Sequence, residues 1–142
     1  MDIPISDCPF CHSLNGGKQK ATSPFRTLEV LARTPNAAAL ADNHPISPGH
    51  TLIVPSRHVA DWFDLETSEQ AAVLELANVM RERLAAQMHP DGWNLGLNVG
   101  AAGGQTIGHA HLHLIPRYEG DLPDPRGGVR WIIPGLAPYW RS

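Results

Sequence analysis

The sequence has few basic residues for its length. Its 142 residues include 11 lysines and arginines against 14 aspartates and glutamates, which gives a net charge of -3. Only Lys18 and Lys20 are lysines. Generic binding to nucleic acids or to anionic membranes requires a basic surface. The charge balance therefore argues against nucleic acid and membrane as partners.

Long hydrophobic runs are also missing. The chain contains no stretch of about 20 apolar residues, the length that a transmembrane helix needs. The N-terminal stretch MDIPISDCPFC has acidic residues where a secretory signal would have basic residues followed by an apolar region. We therefore expect a cytoplasmic protein. With 42% hydrophobic and 18% charged residues, the composition is that of one globular domain with its own core.

Cysteine is scarce, and its spacing is informative. The only two cysteines, Cys8 and Cys11, form a C-x-x-C motif. In the cytoplasm this motif indicates metal or redox chemistry before a structural disulfide. A thioredoxin-like redox pair should lie between a strand and a helix, and only seven residues precede Cys8. A metal site is therefore favoured over unliganded buried thiols, and its two further ligands must be histidines.

The chain is punctuated by 13 glycines and 13 prolines, which favours short strands with tight connections. One long helix is predicted over residues 67–88, with an apolar face and a capping box formed by Thr67 and Gln70. Strands are predicted at 29–33, 37–41, 50–55, 93–99 and in the segment 108–118, with a hairpin turn at 34–36. Because helices are too few for parallel crossovers, we expect an α+β fold with an antiparallel sheet.

The two ends of the chain have less regular patterns. Residues 1–27 are expected to be mostly irregular, with a turn at Asn15-Gly16-Gly17. The last 24 residues are rich in proline and glycine. They are predicted to form a tail packed on the domain, with Trp131, Ile132 and Ile133 as anchors.

Residues 108–118 read GHAHLHLIPRY and hold three of the eight histidines at alternate positions, His109, His111 and His113. Residues two apart on a strand point the same way, so the imidazoles should share one face. The residues between them should face the core: Ala110, Leu112 and Leu114. An amphipathic strand whose polar face happens to be histidine is the alternative. Histidine has no special strand propensity, so that alternative is weak.

Two functions fit such a histidine strand. Histidines two apart can share a zinc ion, which would indicate a zinc enzyme. A neutral imidazole is also a good nucleophile near neutral pH, which would indicate phosphate chemistry. The glycine-rich loop 100–106 precedes the strand, and its Gln105 and Thr106 can donate hydrogen bonds to an anion. No lysine follows the glycines, so the loop is not a Walker loop. These donors favour phosphate chemistry.

The histidine segment resembles the His-x-His-x-His-x-x pattern, with x hydrophobic, of the histidine triad (HIT) superfamily. Cys8-x-x-Cys11, the segment PGHTLIVPSRH at 48–58 and Gly104-Gln105-Thr106 follow the family pattern in the same order. The resemblance covers residues 8–118. It implies a HIT domain at 1–118 with an N-terminal zinc knuckle, followed by a tail at 119–142.

The resemblance also implies a fold and an activity. The HIT fold is a five-stranded antiparallel sheet with one long helix and a short one, usually in a homodimer. Family members are nucleotide hydrolases and transferases that cleave at an α-phosphate. The resemblance therefore implies a purine nucleotide substrate, either a dinucleoside polyphosphate or a nucleoside phosphoramidate.

Roles for single residues follow from the resemblance. His111 would be the nucleophile, forming a nucleotidyl-imidazole intermediate that water hydrolyses. Hydrogen-bond donors beside the phosphate would offset the charge of the transition state. The other catalytic residues would be His113, His50 and Thr106. The nucleotide-binding residues would be Leu40, Asp42, Asn98, Gln105, Thr106 and His113.

The resemblance also supplies the missing metal ligands. In zinc-containing members the ligands correspond to Cys8, Cys11, His58 and His109. Such a site would be four-coordinate, closed and structural, with no metal required in the chemical step. Two other functions remain as alternatives: a nucleotide-binding regulatory module with weak hydrolysis, and a metal-dependent hydrolase in which all three histidines of the strand hold zinc.

Overall fold

The computed structural model describes residues 2–16 and 27–141. Gly17 of the predicted turn, both lysines and the remainder of 17–26 lie outside the described residues. The described elements are, in chain order, a 3-10 turn at Ile5–Asp7, helix α1 at Pro9–Leu14, strands β1 at Val30–Arg33, β2 at Ala37–Ala41 and β3 at Thr51–Pro55, a 3-10 turn at Trp62–Asp64, helix α2 at Thr67–Met88, strands β4 at Gly92–Leu97 and β5 at Leu112–Arg117, and three 3-10 turns at Gly128–Ile132, Pro134–Leu136 and Tyr139–Arg141.

The five strands form one antiparallel sheet in the order β1-β2-β3-β5-β4. With α2 as the long helix and α1 as the short one, the expected α+β fold is confirmed. The predicted hairpin between β1 and β2 is also present, closed by the Thr34 N–H donating to the Ala37 carbonyl at 2.8 Å. Across the sheet, Leu40 pairs with Leu52, Leu52 with His113, and His113 with Gly96.

The sheet has a helix on each face, and its side chains alternate between two apolar clusters. One cluster joins α2 to alternate residues of the strands: Ala37, Ala39, Ile53, Val73, Leu76, Ala77, Met80, Leu84, Leu112 and Leu114. The opposite cluster joins α1 to the other face: Cys8, Phe10, Cys11, Leu14, Leu28, Ala38, Leu40, Leu52 and Val54. We name this second face the α1 face. Because His50 and His113 share the alternation of Leu52, they belong to the α1 face.

The histidine segment differs from its predicted form. Strand β5 begins only at Leu112, and its pairing with β3 ends at Leu112 opposite Ile53. Before that point the Ala110 N–H donates to the Val59 carbonyl at 2.7 Å, in the loop that follows β3. His109 and His111 therefore lie on an irregular segment that leads into the sheet, and only His113 is on the strand. The predicted burial of Ala110, Leu112 and Leu114 is confirmed.

The N-terminus of α2 is capped one residue earlier than expected. The N-cap is Glu66, whose N–H donates to Glu69 Oε1 at 2.9 Å. The amide of Gln70 instead donates to the Trp62 carbonyl at 3.0 Å, so the predicted pairing of Thr67 with Gln70 is wrong. A carboxylate at both positions also suits the positive end of the helix dipole.

The tail does not use its predicted anchors. Ile132 is 81% exposed, Ile133 is 56% exposed and Trp131 is 39% exposed. The tail is instead held by its own hydrogen bonds, since Arg130 donates to the carbonyls of Leu136 and Ala137 at 2.6 and 3.1 Å. Among the helices that the structure describes, none has both the length and the apolar character needed to cross a membrane.

Candidate active site and metal site

Two cysteines and two histidines from distant parts of the chain meet beside α1. Cys8 is the N-cap of α1 and Cys11 lies in its first turn, which the Pro9 ring preorganises. His58 follows β3, and His109 lies on the irregular segment before β5. The four ligand atoms lie within 4.8 Å of one another. The structure thus brings together all four residues of the predicted metal site.

The distances among these atoms suit a single tetrahedral ion. Cys8 Sγ and Cys11 Sγ lie 3.4 and 3.5 Å from His109 Nδ1. His58 Nδ1 lies 3.3 Å from Cys11 Sγ and 3.2 Å from His109 Nδ1. Ligands of one tetrahedral zinc lie about 3.3–3.8 Å apart, given bonds of about 2.0 Å to nitrogen and 2.3 Å to sulfur. The residues therefore fit a possible zinc site.

The other nitrogen of each of these histidines is held by a backbone carbonyl. His58 Nε2 lies 3.0 Å from the Ile3 carbonyl, and His109 Nε2 lies 2.9 Å from the Pro55 carbonyl. A carbonyl can only accept, so each Nε2 carries the proton and each Nδ1 carries a lone pair. Ligand histidines in metal sites are usually oriented by such partners.

Burial disfavours charge on two members of this cluster, Cys11 and His109, in the absence of a cation. It raises the pKa of the Cys11 thiol to about 12, with Cys8 adding to the effect. Burial also lowers the pKa of His109 to about 4, against a smaller opposing effect of the Pro55 carbonyl. A metal ion binds thiolates and neutral imidazoles, so metal binding must displace protons from the thiols.

His111 has the opposite tautomer from the two histidines of the metal cluster. Its Nδ1 lies 2.8 Å from the His109 carbonyl and therefore carries the proton, which leaves the lone pair on Nε2. Burial lowers the pKa of His111 below its ordinary value, so the ring is neutral at physiological pH. The ring of Phe10 packs edge-on against it, with the centroids 5.2 Å apart. A neutral imidazole held in this tautomer is suited to nucleophilic attack through Nε2.

His50 and His113 form a hydrogen-bonded pair beside His111. The Ile46 N–H donates to His50 Nδ1 at 3.3 Å, so the proton of a neutral His50 is on Nε2. His50 Nε2 lies 2.9 Å from His113 Nδ1 and 3.4 Å from Asp42 Oδ2. His113 then carries its own proton on Nε2. The pair therefore makes His113 a hydrogen-bond donor through Nε2.

The loop between β2 and β3 sets this geometry. The Asp42 N–H donates to the His50 carbonyl at 3.2 Å, and the His50 N–H donates to the Ser47 carbonyl at 3.1 Å. Gly49 has a φ of +89°, which favours glycine, and a Cβ there would lie 2.8 Å from Met88 Sδ. The turn therefore places His50 at the start of β3 on the α1 face.

Asp42, His50 and His113 also have three potential ligand atoms within 4.8 Å of one another. A histidine that ligates through Nε2 normally donates its Nδ1–H to a neighbour. Here His50 Nδ1 instead accepts from a backbone N–H. We therefore interpret this trio as a hydrogen-bonded relay. His113 Nδ1 bonds to His50 and His109 Nδ1 faces the cysteines, so the arrangement does not support one zinc ion shared by all three histidines of the segment.

A cavity of about 720 Å³ opens on the α1 face beside these histidines. Of the predicted nucleotide-binding or catalytic residues, Asp42, Asn98, Thr106, His111 and His113 line it. We name it the nucleoside cavity. Its lining residues are Pro9, Phe10, Leu28, Asp42, Asn43, His44, Leu52, Asn98, Thr106, Ile107, His111 and His113.

Three of the predicted catalytic or nucleotide-binding residues do not line the nucleoside cavity: His50, which bonds to His113, and Leu40 and Gln105. The Leu40 side chain is fully buried in the apolar cluster of the α1 face. The Gln105 amide donates to the carbonyls of Ala60 and Ile107 at 2.8 and 3.0 Å and accepts from the Gly100 N–H at 2.9 Å. Gln105 therefore braces the glycine-rich loop, and both of its N–H groups are committed to carbonyls.

The sequence interpretation missed several apolar residues of the cavity wall. Pro9 and Phe10 lie between the two cysteines, where the C-x-x-C motif drew attention to the sulfur atoms alone. Leu28 and Ile107 lie in irregular segments without periodicity. Only Leu52 carried a signal, because it lies two residues after His50 on the predicted strand 50–55 and therefore shares a face with it.

The titration of His113 predicts a loss of stability in mild acid. Burial lowers its pKa to about 4, with His111 and His50 adding to the effect. The unfolded chain, with a pKa near 6.5, therefore binds a proton that the folded chain does not between pH 6.5 and 4, so stability falls as pH falls. Between pH 7.5 and 5, we expect the free energy of unfolding of His113→Asn to fall by about 1 kcal/mol less than that of the wild type, after allowance for solvent screening. Urea unfolding at both pH values measures this, and equal losses would contradict it.

Comparison with known proteins agrees with this geometry. A family model described as the HIT domain matches residues 26–120. An uncharacterized HIT-like protein of Mycoplasma genitalium is 33% identical over 114 residues, 80% of this chain and 75% of that protein. A Schizosaccharomyces pombe protein named bis(5'-nucleosyl)-tetraphosphatase (asymmetrical) is 32% identical over 96 residues, 68% of this chain and 53% of that protein.

A solved structure with a bound metal is also similar. The crystal structure of a Zn-bound histidine triad family protein from Mycobacterium smegmatis superposes with a TM-score of 0.72 at 27% identity. The match covers 85% of this chain and 86% of that one.

Proposed function

Because this chain belongs to the HIT domain family, we propose that it is a nucleotide hydrolase or nucleotidyl transferase that acts at the α-phosphate of dinucleoside polyphosphates or nucleoside phosphoramidates. One observation carries the proposal. The His109 carbonyl holds His111 with its lone pair on Nε2, at the wall of a cavity large enough for a nucleoside. The name of the yeast relative supports the dinucleoside substrate class.

The first step transfers the nucleotidyl group to the protein. His111 Nε2 attacks the α-phosphorus, a P–N bond forms, and the bond from phosphorus to the leaving oxygen or nitrogen breaks. The leaving group takes the electron pair and receives a proton from a neighbouring donor. Thr106 lines the cavity beside His111 and is our candidate for contact with the leaving group. The Nε2–H of His113 would stabilise charge on the phosphoryl oxygens.

The second step releases the product. Water attacks the same phosphorus, the P–N bond breaks, and the electron pair returns to His111 Nε2. One proton of the water leaves with the solvent, and the nucleoside monophosphate departs. This division replaces one difficult displacement with two easier ones. No metal ion is needed in either step.

The nucleotide itself would be bound by the apolar wall and by Asp42. Phe10 and Leu52 offer flat and aliphatic surfaces for a purine base. Asp42 Oδ1 accepts from the His44 N–H at 2.7 Å, which fixes the carboxylate where it could accept from ribose hydroxyls. Leu40 would support this wall indirectly, by packing in the apolar cluster behind it. Asn98, at the mouth of the cavity, would contact the phosphate.

We assign Cys8, Cys11, His58 and His109 to a structural zinc ion. When bound, the ion would supply four fixed bonds that join α1 to the two histidine segments. These bonds would also hold Phe10 against His111, because Phe10 lies between the two cysteines. Four protein ligands around one tetrahedral ion would leave no open position for a reacting water.

Product analysis in ¹⁸O-labelled water tests the proposal. We expect a dinucleoside polyphosphate and an adenosine phosphoramidate each to release a nucleoside monophosphate with ¹⁸O on its phosphate. If ¹⁸O were found only in the leaving group of the dinucleoside polyphosphate, the attack would be at a phosphorus other than the proposed α-phosphorus. Nucleotide binding without turnover of either substrate would instead support the alternative function, a regulatory module.

We also propose that the protein is a homodimer joined through β4. In the part of the chain that the structure describes, β4 is an edge strand paired only with β5, and its Leu95 is 46% exposed. An open edge of six residues without proline or lysine is a template for strand pairing. We expect sedimentation equilibrium at micromolar concentration to give twice the chain mass. Leu95→Arg should raise the dissociation constant about tenfold or more, and a wild type of monomer mass would contradict the proposal.

A further inference from the structure

A second, smaller cavity lies on the α1 face of the sheet, beyond the histidines. Its volume is about 280 Å³, and its floor is formed by Asn94 of β4 with Ile115 and Arg117 of β5. Ile46 and Leu122, the fourth residue of the tail, also line it. We name it the leaving-side cavity.

The sheet register places this cavity next to the reacting centre. Ile115 follows His113 by two residues on β5, so both side chains are on the same face, about 7 Å apart along the strand. Asn94 pairs with Ile115, and Gly96 pairs with His113. The nucleoside cavity reaches His113 from the side of Leu52, on β3. The two cavities therefore lie on one face, on either side of His113.

The charge of the leaving-side cavity is balanced within the protein. Arg117 donates from Nε and Nη2 to the two carboxylate oxygens of Asp121, both at 2.7 Å. Its Nη1 donates to Asn94 Oδ1 at 2.8 Å. The only cation of the cavity is thus paired, so the cavity has no net charge to attract a phosphate chain. Its groups are suited to an uncharged ligand with a flat face and polar edges.

We propose that the leaving-side cavity binds the second nucleoside of a dinucleoside polyphosphate. The inference rests on the proposed function, because it places the scissile α-phosphate at His111. The polyphosphate bridge would cross His113, and the base would pack between Ile115 and Leu122. The planar guanidinium of Arg117 offers a stacking surface. The inference selects dinucleoside polyphosphates over substrates whose leaving group has no second nucleoside.

Filling the cavity tests the inference. Leu122 is 51% exposed, so Leu122→Trp can fold normally while its indole occupies the space of the base. We expect this variant to lower the ratio of kcat/KM for diadenosine triphosphate to kcat/KM for adenosine phosphoramidate about tenfold or more. The matched control is Leu136→Trp, at a 72% exposed position of the tail outside the cavity, which should leave the ratio unchanged. An unchanged ratio in Leu122→Trp would overturn the inference.

Binding separates this inference from the proposed function. Calorimetric titration compares a methylene-bridged dinucleoside triphosphate with the nucleoside triphosphate that lacks the second nucleoside. We expect the wild type to bind the dinucleoside about tenfold more tightly, and Leu122→Trp to lose that difference. Equal affinities in the wild type would overturn the inference even if the protein hydrolyses both substrates. Tighter dinucleoside binding without any turnover would support the cavity and contradict the proposed function.

Discussion

Replacing His111 with alanine is expected to lower kcat for every substrate by about 10⁴-fold or more. The variant lacks the nitrogen that accepts the nucleotidyl group, and removal of a nucleophile typically costs a factor of this size. The affinity for nucleotide should change only a few-fold, because in the proposed complex the base and ribose would contact other residues of the nucleoside cavity. Single-turnover rates and calorimetric affinities measure the two effects separately.

His111→Asn and His89→Asn complete this comparison. Asparagine at 111 retains an N–H that can reach the His109 carbonyl but has no nucleophilic nitrogen, so we expect the same loss as for alanine. His89 caps the C-terminus of α2 in the left-handed region, with a φ of 51°, where asparagine is well tolerated. This control should keep its activity. If His111→Asn kept more than about one hundredth of kcat, the assignment of the nucleophile would be wrong.

Removing the metal is expected to lower the melting temperature by about 12 °C. At free zinc of about a thousand times its dissociation constant, binding stabilises the folded state by about 4 kcal/mol. In a domain of this size each kcal/mol corresponds to about 3 °C. Cys11→Ser should reproduce the loss, because its side chain is at the centre of the site, 3.3 Å from His58 Nδ1 and 3.5 Å from His109 Nδ1. Thermal unfolding with zinc, with a strong chelator and with Mg²⁺ measures the effect.

Activity and proton release distinguish a structural metal from a catalytic one. Below its own melting temperature, chelated protein should keep measurable turnover, because no step requires the metal. Zinc binding at pH 7 should release at least one proton, since burial raises the pKa of Cys11 to about 12. Complete loss of turnover in a chelated protein that is still folded would favour a metal-dependent hydrolase.

The histidine segment shows what a sequence pattern can and cannot predict. Alternation correctly predicted that Ala110, Leu112 and Leu114 are buried. It also predicted one continuous strand, whereas the sheet begins only at Leu112. The Ala110 N–H bonds to Val59, in a loop about fifty residues away along the chain. Periodicity contains no information about such a partner.

Gln105 and Phe10 show where tertiary contacts add to what the sequence pattern predicts. Gln105 and Thr106 are adjacent and equally polar, so the sequence assigned both to the phosphate. In the fold, the Gln105 amide meets three backbone groups of the surrounding loops and braces them, while Thr106 lines the cavity. Phe10 lies between the two cysteines, where the sequence motif points to the sulfur atoms alone, yet its ring lines the cavity. Only tertiary contacts separate these roles.

The tail shows that apolar residue type alone does not predict which side chains are buried. Trp131, Ile132 and Ile133 are the most apolar run of the last 24 residues, and burial was the natural expectation. The Trp131 indole N–H donates to the Arg126 carbonyl at 2.8 Å. Arg130 donates to the carbonyls of Leu136 and Ala137, near the end of the tail. These local bonds hold the tail while Ile132 and Ile133 stay exposed.

The central claim is that His111 carries the nucleotidyl group between the two steps. The most direct measurement mixes the protein with a dinucleoside polyphosphate for a fraction of one turnover, stops the reaction in alkali, where a phosphoramidate to imidazole survives, and maps the modified peptide by mass spectrometry. We predict a single nucleotidyl group on the peptide that contains His111, present with or without chelator and absent from His111→Asn. Rapid turnover without any adduct, or an adduct on His113 or His109, would contradict the account.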